Sequence, residues 1–147
     1  MVHRWRTPLY PGEWMWQTDA EVAHAWWSEE PTSDARALSE TPAHDYVDEL
    51  LERGATGAVD LLQALVDAAP SEDALAYLGA GLVEDLVSHH RHGQAVVAEV
   101  ERHARQDPRF ARAMSAAWLG CGVPPEVRRR LARWGARDLT GGPNPSA

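Results

Sequence analysis

Three side chains able to ligate a divalent ion fall on one ridge of a single helical stretch: Asp85, His89 and His92, at i, i+4 and i+7. A carboxylate and two imidazoles so placed can hold a metal of the zinc class. The same ridge also reads as a solvated acid–histidine pair, favoured by helix electrostatics. No familiar zinc motif is completed elsewhere. The solvated ridge is therefore the reading taken, with no metal and no cofactor expected. Glu84 and Asp85 are adjacent, so on a helix they point about 100° apart and do not form an acid/base pair by spacing alone. Cys121 lies between Gly120 and Gly122. A catalytic thiol needs a base and a positive environment. His103 or His90 could approach it only through the fold, so a small packed cysteine is expected. The chain contains no G-x-S-x-G, H-E-x-x-H or phosphate-binding glycine loop. No catalytic residue is assigned, and the balance leans away from an enzyme.

The element that must carry these groups is residues 77–93, YLGAGLVEDLVSHHRHG. Leu82, Val83, Leu86 and Val87 mark one apolar face of a helix. Glu84 and Asp85 sit near its positive end, and His89, His90, Arg91 and His92 near its negative end. Gly93 reads as the stop. Gly79 and Gly81 weaken a continuous helix, and predict a sharp turn or a close approach of two backbones. His90 falls amid the apolar face and is expected to be a hydrogen-bonded histidine at a packed surface.

With the later RQDPRFARAMSAAWL, this stretch resembles a widespread bacterial domain family of unknown function. The residues matching that pattern are Gly79, Gly81, Glu84, Asp85, Leu86, Gly93, Pro108, Arg109, Phe110 and Trp118. A proline usual after the second glycine is Leu82 here, which leaves the turn less rigid. The match covers about residues 61–118. The resemblance implies a small helical bacterial domain and brings no chemistry with it.

The chain has 147 residues, one domain by the usual prior. A single cysteine excludes an internal disulfide and suits a reducing compartment. Neither a signal-like apolar run nor a membrane-length segment occurs, so a cytoplasmic location is expected. All basic residues are arginine, a composition of GC-rich bacterial genomes. The net charge of −8 is uneven. Residues 41–107 hold 4 arginines against 13 acids, and residues 108–147 hold 7 against 2. An acidic body argues against broad nucleic-acid binding, which neutralises phosphates. It favours a basic protein partner.

Residues 1–16 carry Trp5, Tyr10, Trp14 and Trp16 without a helical period, and read as an extended arm packed on the body. Thr18-Asp19-Ala20-Glu21 is a capping box. It opens a helix that buries Val22, Ala23, Trp26 and Trp27. Residues 31–41 read as a loop. Pro42 opens a helix with Tyr46, Val47, Leu50 and Leu51 inward. Thr56 caps the next, with Val59, Leu61, Leu62, Leu65 and Val66 inward. Ser71 caps a short one. Val96, Val97, Val100 and Ala104 line another, with Glu99, Glu101, Arg102 and Arg105 on other faces. Asp107-Pro108 starts a helix burying Phe110, Ala113, Met114, Ala117 and Trp118. Pro124-Pro125 starts a last one, with Val127, Leu131 and Trp134 inward. Its Arg128, Arg129, Arg130 and Arg133 are expected to be solvated or paired with the protein's own acids.

The fold expected is all-α: a compact array of about eight short antiparallel helices, with HEAT-like helix pairs as one arrangement and no strand. The domain spans residues 17–136, between an arm (1–16) and a flexible tail (137–147). The function expected is an acidic protein-binding module, an immunity- or antitoxin-like inhibitor being one concrete form. Glu84, Asp85 and His89 are the binding residues. A metal-dependent module or enzyme using Asp85, His89 and His92, and a purely structural domain, are the alternatives. Oligomeric state is left open.

Overall fold

The computed structural model describes residues 16, 18–29, 42–53, 57–88 and 93–140. Most of the aromatic arm, the loop at 31–41, His89, His90, His92 and the last seven residues lie outside the described residues. Eight α-segments follow in order: α1 (Asp19–Ser28), α2 (Pro42–Arg53), α3 (Ala58–Asp67), α4 (Glu72–Leu78), α5 (Glu84–Ser88), α6 (Gly93–Gln106), α7 (Pro108–Ser115) and α8 (Pro125–Ala132). The all-α architecture expected from the apolar stripes is the one found.

The helix starts follow local chemistry. Thr18 Oγ1 accepts the Glu21 amide N–H, and Glu21 accepts that of Thr18 in return. Ser71 caps α4 by accepting the N–H of Ala74, and Asp107 caps α7 by accepting that of Arg109. At α3 the cap is Gly57, in the left-handed region at φ 91°, rather than Thr56. Gly93, expected as a stop, is the first residue of α6.

The stripes meet in one core. Val22, Val47, Leu51, Leu61, Leu62, Leu65, Leu86, Phe110, Met114 and Leu131 are all buried within it. Each such side chain contributes about 1.5–3 kcal/mol on full burial. Trp27 Nε1 donates to the Leu65 carbonyl at 2.9 Å and pins α1 across α3. Arg109 donates to the carbonyls of Asp67 and Ala69, which α3 leaves unpaired at its C-terminal end.

The Gly79-Ala80-Gly81 stretch does not turn the chain. Residues Gly79–Val83 form a π-helical turn that joins α4 to α5 in one rod. Of the two outcomes expected from the glycines, the close approach is the one realised. A Cβ on Gly79 would lie 1.8 Å from the Ala113 carbonyl oxygen, so α7 presses its backbone against this point. The rod continues because the glycine is spent on packing, not on reversal.

The C-terminal third departs from expectation. Helix α7 ends at Ser115, and the chain becomes extended through β1 (Trp118–Leu119). Period-2 alternation then buries Leu119 and leaves Trp118 52 % exposed, so Trp118 is not on an inner helix face. After α8, Gly135 at φ 94° closes the helix while the Ala136 N–H returns to the Leu131 carbonyl. Residues Arg137–Asp138 form β2, parallel to β1, with Arg137 opposite Trp118. The amides of Arg137 and Leu139 donate to Ala117 and Leu119 at 2.8 Å. Residues 137–140, placed in the tail on composition, are thus hydrogen-bonded structure. Polar tail composition concealed them because two residues carry no readable period.

Most of the arginine run of α8 turns back on the protein's own acids. Arg128 pairs with Asp138 at 3.3 Å, Arg129 with Glu126, and Arg130 with Glu101 of α6. Glu101 is only 4 % exposed; Arg130 faces it as an ion pair without hydrogen-bond alignment, and Arg105 adds a second cation at 3.7 Å. Among the described residues no helix is long and apolar enough to cross a membrane.

Candidate functional site

An open cleft of about 470 Å³ lies where α1, α2 and the α4–α5 rod converge. Its inner wall is Trp26 of α1, whose indole lies against the His44 ring of α2, centroids 4.4 Å apart and planes 19° apart. Trp26 is fixed from behind by Trp27, edge to face at 4.6 Å. Its own indole N–H is buried without a hydrogen-bond acceptor. Tyr77 of α4 stands at the mouth, 6.1 Å from the Trp26 ring and 59 % exposed.

His44 is held at three points by one carboxylate. Glu29, just past the end of α1, accepts the backbone N–H groups of Ala43 and His44 at 2.8 and 3.1 Å. It also meets His44 Nδ1 at 2.9 Å. A carboxylate only accepts, so Nδ1 carries the proton and the ring orientation is set. The same contact places negative charge at the positive end of α2.

Three carboxylates complete the cleft: Asp45 and Asp48 from α2 and Asp85 from α5. Asp45 and Asp48 are three residues apart on one helix face. Tyr77, Gly81 and Asp85 recur every four residues along the rod, and the π turn supplies Ala80, Gly81 and Leu82 as its floor. A π turn inserts one residue into the helical repeat and is found often at functional sites. Each of the three aspartates already has a polar or electrostatic partner inside the protein. An ionised carboxylate offers about four lone-pair sites, so further donors can be accepted.

The adjacent pair Glu84-Asp85 is split by the helix. Asp85 borders the cleft, while Glu84 points toward the loop after β1, where a Cβ on Gly120 would lie 3.7 Å from its Oε1. Burial, and secondarily the charge of Asp85, raise the Glu84 carboxyl above its ordinary range. Of the sequence-derived binding residues, then, only Asp85 borders the cleft; His89 and His92 lie outside the described residues. Spacing within one helix could not have found Trp26, His44, Asp45 and Asp48, which other helices bring in. Cys121, expected to be packed, is exposed.

The arrangement combines π faces with carboxylates in a partly enclosed space. Trp26 is 4 % exposed and stacked on His44, so Tyr77 is the ring open to solvent; beside an aromatic face, carboxylates add attraction of the same sense for a cation. Elsewhere on α2, burial first and then the charges of Asp19 and Glu49 push the Tyr46 phenol far above its usual range.

No curated protein and no solved structure matches the chain. A family model does match, over residues 15–139, a span that holds every side chain of the cleft. The chain accordingly belongs to a family of unknown function, DUF6869.

Proposed function

We propose that this protein is a binding module for another protein, and that the cleft takes a lysine or arginine side chain of that partner. The observation carrying this reading is the pairing of Trp26, His44 and Tyr77 with Asp45, Asp48 and Asp85 around one cleft. The cationic head would lie against the exposed Tyr77 ring, and the carboxylates would accept its N–H groups. Arginine suits the site better than lysine, because its planar guanidinium stacks and forks onto carboxylates. The net charge of −8 would steer a basic partner toward the site at low salt. An inhibitor of a basic protein, of the immunity or antitoxin kind, acting in a bacterial cytoplasm, is the biological setting that best suits these features.

The test is binding of an array of twelve-residue peptides, about 12 being enough to cover the cleft in extended form, with and without arginine or lysine. Binding should require a basic residue and weaken steeply with salt. Tyr77→Ala should cost about tenfold, in line with a cation–π contact of about 1–2 kcal/mol. Equal binding of neutral peptides, or unchanged binding by the Asp45→Asn/Asp48→Asn/Asp85→Asn protein, would refute the reading.

A further inference from the structure

A second histidine lies far along the chain from the cleft residues, on the seam where α3, α6 and α7 meet. Gln63 of α3 donates through Nε2 to Asp67 Oδ1 at 2.9 Å and to Asp107 Oδ2 at 2.8 Å. Two acceptor-only carboxylates thus fix which end of the amide is which. The amide oxygen is left facing His103 Nδ1 at 2.9 Å, so Nδ1 must donate. In the neutral ring this leaves Nε2 as a bare lone pair. That atom is buried and has no hydrogen-bond partner.

Two acids gather at this ring. Asp60 of α3 and Glu99 of α6 each bring a carboxylate oxygen, and these and a His103 ring nitrogen lie within 4.8 Å of one another. Nε2 is 3.6 Å from Asp60 Oδ1, too long for a hydrogen bond. It is close to the ~3.4 Å edge of a tetrahedron with metal–ligand bonds of about 2.1 Å. A lone pair set beside two carboxylates is repulsive, and a cation bound among the three groups relieves it. Glu99 has one competing neighbour, the exposed Arg102 at 3.7 Å.

We propose that Asp60, Glu99 and His103 form a site for a divalent transition-metal ion of the zinc class, with Gln63 as its orienting partner. One imidazole and two carboxylates suit such an ion, and an N–H fixed on the far ring nitrogen is the usual support of a ligating histidine. Asp60 is 57 % exposed and Glu99 40 %, so the remaining positions open to water. The ion would brace α3 against α6. This site is independent of the cleft, and either can fail without the other.

The experiment is calorimetric titration of the untagged, EDTA-stripped full chain with zinc chloride, with melting temperature followed in parallel. One ion should bind per chain, with a melting rise of several degrees that EDTA reverses. Asp60→Asn, at an exposed position, and Glu99→Gln, at a half-buried one, keep the side-chain shape and should each weaken binding at least tenfold. Gln63→Leu should weaken it about tenfold, in the range for lost orienting partners. His103→Ala should abolish it. The histidines at 89, 90 and 92 are the control: zinc binding that survives Asp60→Asn and Glu99→Gln but disappears on replacing those three overturns the proposal. So does an absence of zinc binding by the stripped, folded protein.

Discussion

The cleft and the α3–α6 seam are built from the same materials and do opposite things with them. Each has a histidine whose Nδ1 is held by a neighbour, Glu29 for His44 and Gln63 for His103. Each has an aromatic ring beside the imidazole, Trp26 at 4.4 Å and Phe110 at 5.3 Å. Carboxylates complete both. In the cleft they stand beside the exposed Tyr77 ring, which suits a bulky, delocalised cation. In the seam they gather at an imidazole with a bare ring nitrogen, Asp60 Oδ1 standing 3.6 Å from it, which suits a point charge. The chemistry is decided by what surrounds the imidazole, not by residue type.

One five-residue turn serves both halves of the molecule, and this gives the sharpest way to separate them. Gly79 faces α7, and any Cβ there meets backbone; Gly81 faces open space on the cleft side. Gly79→Ala should destabilise by about 3 kcal/mol or more, since the obstacle is a carbonyl that cannot rotate away. Gly81→Ala should be neutral or stabilising by up to about 1 kcal/mol, the helix-propensity difference. Urea denaturation of the two variants measures this. Equal effects would show that the glycines do not divide as described.

Gly81→Leu sharpens the comparison further. A side chain projecting over the floor should reduce basic-peptide binding more than tenfold while leaving zinc binding unchanged. Loss of both would mean that the two regions are coupled. Gln63→Leu makes the converse cut. It removes the acceptor of His103 Nδ1 and the Gln63 donor to Asp67 and Asp107, and should cost about 1–2 kcal/mol in metal-free protein by chemical denaturation, with peptide binding intact.

The smallest effect concerns Glu84. Its carboxyl is raised in the folded state by burial first and Asp85 second. Protonation therefore favours folding. The favourable contribution is complete below the ordinary value of 4.5 and is lost as pH rises through the raised value. Glu84→Gln should match the wild type in acid and melt slightly higher at about pH 7. A pH series of melting curves checks the sign, and a variant that melts lower at neutral pH reverses it.

The helices were legible because their signals are local. Thr18 with Glu21, Ser71, and Asp107 with Pro108 each place a cap within one turn of chain, and the apolar stripes needed only a period. The π turn was not legible. Two glycines weaken any isolated helix, and only the backbone of α7 at Ala113 explains why they are there and why the rod persists. Trp118 failed for a similar reason: the exit from α7 at Ser115 changes the period from 3.6 to 2, and every later side chain changes face. Of the side chains that meet in the cleft and the seam, Asp85 was singled out as a site residue, for its place on a helix ridge. Glu99 and His103 are four apart and could have been paired on sight. Their value depends on Asp60 and Gln63 arriving from a helix some forty residues earlier, which is a fact of packing.

The parallel clasp between β1 and β2 sets a limit on truncation. Helix α8 lies between its two halves, so cutting after residue 136 would strip the amide donors from the Ala117 and Leu119 carbonyls and the Asp138 partner from Arg128. A truncation that keeps the clasp must therefore run through Leu139, where the family match also stops.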